Sequence, residues 1–213
     1  MYSGSSSVLN VENLAITYEG RKASHSAVNG VSLHIGEGEA LGLVGESGSG
    51  KSSVAMAVLR YLPRNARTTA SALEFHGREI RDLSGEELRR LRGDQIAAVY
   101  QHPGAALNPA MTIGRQITET IMRHRLVRQD VARGRAAELL DRVRVSNPER
   151  VLDLYPHELS GGMQQRVNIA IAIALDPSLL VLTSRQQRWM PASSPRLLPF
   201  SRTSGVTIRP ASC

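Results

Sequence analysis

The chain has 213 residues, 41% of them apolar, and a formal net charge of +7 from 26 Lys and Arg against 19 Asp and Glu. This length and apolar content suffice for one sizeable domain, and the single cysteine, Cys213, excludes an intramolecular disulfide. The longest apolar run, Ile169 to Leu175, is far shorter than the roughly 20 residues that cross a bilayer, and residues 1–14 show no secretory pattern.

The first predicted elements surround a glycine-rich loop. Residues 8–40 alternate between apolar and polar side chains, which predicts a β-rich entry region. A short apolar strand at 41–44 precedes the loop, and a helix follows from Lys51 to about Leu62. Residues 64–83 are ambiguous, and a strand at Ala72–His76 is one interpretation of them.

The second half of the chain is predicted to be mostly helical. Ser84 to Glu87 form a capping-box pattern that opens a short helix through Leu91, and residues 95–100 are predicted to be a buried strand. From 109 to 156 the apolar spacing is helical, and two rows of residues are expected to face the core. These rows are Ile113, Ile117 and Ile121, and Ala136, Leu139, Leu140 and Val143. A turn at Asp176-Pro177 precedes the last strand, which rises to Leu182.

The strongest motif is GESGSGKS at Gly45–Ser52, which matches the phosphate-binding pattern GxxxxGK[ST]. Its glycines let backbone amides face phosphates, Lys51 reaches the outer phosphates, and the Ser52 hydroxyl can bind Mg²⁺. A glycine loop without a ligand is the alternative, which the preceding strand and following helix disfavour. The predicted ligand residues are Gly45, Glu46, Ser47, Gly48, Ser49, Gly50, Lys51, Ser52 and Ser53.

A second motif, LSGGMQQ, lies at Leu159–Gln165. Ser160, Gly161 and Gly162 precede a helical run, so that free amides and the positive end of a helix dipole are offered to an anion. Taken alone, this pair of glycines is equally consistent with an ordinary helix entry. Together with the phosphate loop, it favours anion binding.

These motifs carry a resemblance to a known family. LSGGMQQR, with Gln101 in VYQHPGAALNPAMTIG, resembles the ATP-binding subunit of ABC transporters, and the Gln101 segment with residues 166–182 resembles the dipeptide, oligopeptide and nickel importer branch. The resemblance covers about residues 8–182. It implies an α/β fold, a P-loop NTPase core of the ABC type with a β-rich entry region and an inserted helical subdomain, incomplete at the C-terminus.

The resemblance also implies a division of the chain and roles for single residues. The ATP-binding domain is expected at 1–182, with its core at about 8–104 and 166–182, its helical subdomain at about 105–165, and an aberrant tail at 183–213. Tyr18 matches the aromatic residue that stacks on adenine, although a tyrosine that only ends an edge strand is the alternative. Gln101 matches the residue that approaches Mg²⁺ and the attacking water. The residues that match the signature motif, which contacts the γ-phosphate on the opposite subunit, are Ser160, Gly161, Gly162 and Gln164.

The chain departs from the family after Leu182. Relatives carry an Asp for the Mg²⁺ shell and a Glu that polarises water at the end of this strand, whereas Thr183 and Ser184 stand there in this chain. Hydrolysis near background is therefore expected. Residues 183–213 hold five Arg, no acidic residue and four of the 10 prolines, a composition that predicts an unstructured tail.

A shifted reading frame is one hypothesis for this tail. Codons that encode residues 182–192 can be chosen so that the shifted frame encodes DEPTTALDA, which resembles the missing family motif. Trp189 and Met190 have one codon each, and with Pro191 they impose Asp-Ala in that frame. The nucleotide sequence of the gene tests this hypothesis.

The resemblance implies ATP and Mg²⁺ as cofactors and several protein partners. These are transmembrane permease subunits, a second ATP-binding subunit and, indirectly, an extracytoplasmic solute-binding protein, with the chain peripheral on the cytoplasmic face of the inner membrane. The expected function couples ATP binding and hydrolysis to uptake of peptides or a related small solute. A non-catalytic ATP-binding fragment or a non-functional truncated product is the alternative. Nucleic-acid binding is disfavoured because the Arg-containing tail shows no basic helix.

Overall fold

The computed structural model of the protein describes residues 7–99, 103–185 and 204–209. These residues form two compact units. The first unit comprises residues 7–89 with 181–185 and 204–209, and the second comprises residues 90–99 and 103–180. The division into core and helical subdomain expected from the sequence, with boundaries near 105 and 166, remains a prediction.

The fold is mixed α/β, with most strands in the first part of the chain and most helices between residues 103 and 172. The strands are β1 (Ser7–Glu19), β2 (Ser24–Gly36), β3 (Leu41–Gly45), β4 (Ala66–Thr69), β5 (Ala72–Phe75), β6 (Arg78–Glu79), β7 (Ile96–Val99), β8 (Leu179–Arg185) and β9 (Ser204–Arg209). The helices are α1 (Lys51–Val58), α2 (Gly85–Asp94), α3 (Pro103–Ala106), α4 (Ile113–His124), α5 (Gln129–Arg142), α6 (Pro148–Leu152) and α7 (Gly161–Ala172), with one 3₁₀ turn at Pro156–Glu158.

The predicted β-rich entry region is an antiparallel sheet in the order β2-β1-β5-β6, with β4 also paired to β1. Alternate residues of β1 are buried, including Leu14 and Ile16, because successive side chains of a strand point to opposite faces. Tyr18 pairs with His25 of β2 on one side and with Ala66 of β4 on the other. Tyr18 therefore does not lie on an edge strand, and whether it serves only the sheet or also contacts a nucleotide stays a prediction.

The first predicted helix is shorter than its sequence expectation, and the start of the second is as predicted. α1 ends at Val58 rather than near Leu62, because Arg60 adopts a left-handed conformation at φ +54° and the Tyr61 amide donates to Met56 O. The capping box that opens α2 is confirmed. The Ser84 amide donates to the Glu87 carboxylate at 2.9 Å and the Glu87 amide donates to Ser84 Oγ at 3.3 Å. Hydrogen bonds from the backbone and side chain of Ser84, together with one from the Arg78 side chain, lower the pKa of Glu87 to about 2.

The second unit has a helical core. Both predicted apolar rows pack into it, since Ile113, Ile117 and Ile121 of α4 are at most 1% exposed and lie in one buried cluster with Leu139 and Leu140 of α5. Val143 packs against the same cluster. The rows therefore serve packing, which confirms the prediction from their spacing. None of the helices in the described residues is long and apolar enough to cross a bilayer.

A second sheet has the strand order β3-β9-β8-β7. Strand β9 runs antiparallel to β3, from the pair Leu41 and Ile208 to the pair Gly45 and Ser204. The prediction of an unstructured tail is wrong for two stretches, because residues 183–185 continue β8 and residues 204–209 form β9. The physical reason is that β3 offers unpaired backbone groups, and the β-branched residues 206–208 favour an extended partner.

Candidate functional site

The phosphate loop lies between β3 and α1 in the first unit. Gly48 and Gly50 adopt φ values of +87° and +84°, a conformation that glycine reaches without a steric penalty. The Lys51 ammonium, whose residue is only 9% exposed, donates to Gly45 O at 2.9 Å, Glu46 O at 2.5 Å and Ser49 Oγ at 2.8 Å. The Lys51 side chain therefore binds the start of the loop and Ser49, and its ammonium group lies within the loop.

The start of α1 presents backbone donors to this loop. The cap residue Gly50 supplies no side-chain acceptor, and the amide of Val54 donates to Gly50 O at 2.9 Å. Helix geometry leaves the preceding amides, those of Lys51, Ser52 and Ser53, without an acceptor inside the helix. Donors that point together at the positive end of a helix dipole suit a phosphate group. Among these residues the Ser52 side chain is exposed and that of Ser53 is half-buried.

Gly50 also permits a close approach of backbone to backbone. A Cβ atom placed on Gly50 would lie 2.3 Å from Ala27 O and 2.9 Å from Val28 Cγ2 of β2. No side chain larger than hydrogen fits without displacing β2 or the loop. Strand β2 therefore holds the start of α1 in place.

Tyr18 lies beside the same helix. Its hydroxyl oxygen is 3.0 Å from Ser53 Oγ, so that β1 and the first turn of α1 share a hydrogen bond. Both residues belong to the nucleotide site predicted from the sequence, whereas their contact has no sequence signal because 35 positions separate them. The adenine-stacking role of Tyr18 remains a prediction.

The residues of the second motif lie at the start of α7 in the second unit. Ser160 is the N-cap, and its Oγ accepts from the Met163 amide at 3.3 Å. Ser160, Gly161 and Gly162 are exposed, and a Cβ on either glycine would meet nothing within 4 Å. An exposed, capped helix start with open space around it can receive an anion from outside the unit.

Gln164 is used inside the second unit. Its Nε2 donates to Pro156 O at 2.8 Å, and its backbone amide donates to Ser160 O at 2.9 Å. The side chain therefore ties the 3₁₀ turn to α7. The predicted phosphate contact of Gln164 remains a prediction, whereas its internal contact is a function that the sequence motif does not indicate.

The described residues offer fewer ligands for Mg²⁺ than for a phosphate group. Gln101 lies outside the described residues, and β8 ends in Thr183, Ser184 and Arg185, none of which is a carboxylate. Within 7–99, 103–185 and 204–209, no group of three or more His, Cys, Asp or Glu could hold a metal ion. The described residues thus fit a phosphate group through the loop, whereas binding of Mg²⁺ by Ser52 remains a prediction.

Comparison with known proteins agrees with this geometry. The model of the ABC transporter family matches residues 28–183. The probable peptide ABC transporter ATP-binding protein y4tR of Sinorhizobium fredii is 43% identical over 175 residues, which are 82% of this chain and 52% of that protein. The dipeptide transport ATP-binding protein DppD of Escherichia coli is 42% identical over 174 residues, 82% of this chain and 53% of that protein. The chain spans about half the length of these relatives.

Among solved structures, the fold is similar to a dimeric post-hydrolysis state of the ATP-binding cassette MJ0796 bound to ADP and Pi. The similarity has a TM-score of 0.64 at 27% sequence identity and covers 81% of this chain and 72% of that one.

Proposed function

The chain belongs to the ABC transporter family, and we propose that it is an ATP-binding subunit of an importer for peptides or a related small solute. The observation that carries the proposal is the loop at 45–53, where Lys51 and the first amides of α1 converge. The names of the relatives, which are a peptide and a dipeptide transport protein, support the substrate class.

In the proposed ATP complex, phosphate oxygens replace the loop groups that accept hydrogen bonds from the Lys51 ammonium. The three N–H groups of Lys51 donate to two carbonyls and one hydroxyl of its own loop. Phosphate oxygens are charged and therefore accept more strongly than these neutral groups. The exchange places the ammonium against the outer phosphates, while the amides of residues 51–53 contact the same group.

Hydrolysis is proposed to be near background. Mg²⁺, when bound, would neutralise charge on the phosphate oxygens, and Ser52 with the predicted ligand Gln101 would hold it. Thr183 and Ser184 cannot supply the negative charge that an Asp and a Glu would supply at the end of β8. Without that charge, no group of β8 holds the metal or polarises the attacking water.

The proposed partners follow from the second motif and from the relatives. The exposed start of α7 at Ser160 to Gly162 is proposed to contact the nucleotide of a second ATP-binding subunit, in line with the dimeric form of the similar cassette. Transmembrane permease subunits would hold the chain on the cytoplasmic face of the inner membrane, and a solute-binding protein would act through them.

Binding and turnover are separated by one pair of measurements. Calorimetric titration with Mg-ATP is expected to give weak binding to the wild-type chain and at least about tenfold weaker binding to Lys51→Met, because a charged donor is lost. Phosphate release is expected near background in both. Absence of binding would exclude an ATP-binding subunit, and turnover typical of a transporter ATPase would exclude the hydrolysis defect.

The non-catalytic alternative is favoured by one observation, the lack of acidic residues at the end of β8. The nucleotide sequence around codon 182 tests whether a shifted reading frame explains the lack of acidic residues. If no correction of one or two bases restores an Asp-Glu-Pro reading after Leu182, a shifted frame is excluded.

A further inference from the structure

We propose that the Tyr18 hydroxyl is a positioning group for phosphate binding, which acts by orienting the Ser53 hydroxyl. The proposal rests on the proposed ATP-binding function and assigns to the hydroxyl of Tyr18 a role separate from that of its ring. Its basis is the 3.0 Å distance between Tyr18 Oη and Ser53 Oγ, a part-buried hydrogen bond.

Tyr18 is held from both sides. Its backbone pairs with His25 of β2 and Ala66 of β4. At the next residue, the Glu19 amide donates to Asn65 O at 2.7 Å and Asn65 Nδ2 donates to Glu19 O at 3.1 Å. Because both neighbours of this strand end are fixed, the Tyr18 side chain leaves the sheet from a defined point.

Ser53 is held just as closely. It is the third residue of α1, and the start of that helix lies against β2 because Gly50 allows Ala27 O to approach. Strand β2 also pairs with β1 through Val28 and Ile16. One sheet therefore sets the positions of both hydroxyl groups, so that little side-chain freedom is lost when they bind each other.

The donor and acceptor capacities decide the direction of this bond when an anion is present. Either hydroxyl can donate in the pair. Phosphate oxygens only accept, and a serine hydroxyl has one donor with two acceptor positions. A bound phosphate therefore selects the arrangement in which Tyr18 donates to Ser53 and Ser53 donates to phosphate, and such a chain of hydrogen bonds is mutually strengthened.

The experiment compares ATP with inorganic tripolyphosphate, which has no base for an aromatic ring to contact. Calorimetric titrations of wild type, Tyr18→Phe, Ser53→Ala and the double variant measure both ligands. Tyr18→Phe is expected to weaken ATP and tripolyphosphate by the same factor, about two- to tenfold. The double variant is expected to bind both ligands as Ser53→Ala does, because the Tyr18 hydroxyl acts only through Ser53.

Two controls separate positioning from a general structural effect. Tyr61→Phe makes the same chemical change at a tyrosine that is 62% exposed in the same unit, and its affinities are expected to equal those of wild type. Ser53→Thr keeps the hydroxyl and is expected to retain affinity. If the substitutions instead act through a general structural defect, the two losses of affinity are expected to add in the double variant. Ser53→Thr is then expected to lose affinity as well.

Three outcomes would contradict the positioning role of the Tyr18 hydroxyl. Loss of ATP affinity with unchanged tripolyphosphate affinity in Tyr18→Phe would assign Tyr18 to the base alone and overturn the positioning role. Wild-type affinity of Tyr18→Phe for both ligands would overturn the positioning role while the proposed function stands. If the wild-type chain binds neither ligand, both fail together.

Discussion

Replacement of Gly50 by alanine tests the packing of the phosphate loop against β2. Two separate costs arise in the folded state. Alanine at φ +84° costs about 1–2 kcal/mol in the left-handed region. The new Cβ would in addition lie 2.3 Å from Ala27 O, and relief of such an overlap costs about 1–3 kcal/mol. Because the obstructing atom belongs to the backbone, a change of rotamer cannot relieve it.

Gly48 provides the matched control. Its φ is +87°, but a Cβ there would meet nothing within 4 Å, so that Gly48→Ala carries the conformational cost alone. We expect about 1–2 kcal/mol of destabilisation for Gly48→Ala and about 2–5 kcal/mol for Gly50→Ala. At about 2–4 °C for each kcal/mol in a chain of this size, thermal unfolding followed by circular dichroism distinguishes the two variants. Equal shifts in the unfolding temperature would show that β2 does not approach Gly50 as described.

Three further perturbations test other contacts. The hydrogen bond from Arg81 lowers the pKa of Glu79 from 4.5 to about 2, so its stabilisation is complete above pH 4.5 and is lost as the pH falls toward 2. The unfolding temperature of Glu79→Gln should therefore fall less than that of wild type across this range, and parallel curves would contradict the assignment. Ser160→Ala should cost about 1 kcal/mol in urea unfolding because the Met163 amide loses its acceptor, whereas Ser160→Gly should cost only a few tenths. Equal losses would argue against the cap. Thr207→Pro removes a backbone donor from a strand that lies between two others, and it should lower the free energy of unfolding by about 1–3 kcal/mol. An unchanged urea midpoint would refute the pairing of β9 with β3.

The phosphate loop could be predicted because its chemistry is local. Gly48, Gly50 and Lys51 lie within four consecutive positions, so that the motif itself indicates where glycine and lysine are needed. The helical rows of α4 and α5 were equally accessible, since the spacing of buried residues along one helix repeats in the sequence itself. The absence of acids after Leu182 is likewise a property of the printed residues.

What the sequence by itself determined is thus the family and the prediction of a phosphate ligand, whereas tertiary structure decided which distant groups meet. The contact of Tyr18 with Ser53, the approach of Ala27 O to Gly50 and the pairing of Ser204 with Gly45 join positions far apart in the chain. No local pattern marks them. Each arises because the sheets and α1 bring separate segments of the chain together. Backbone groups and hydroxyls without a local partner then form hydrogen bonds across these segments.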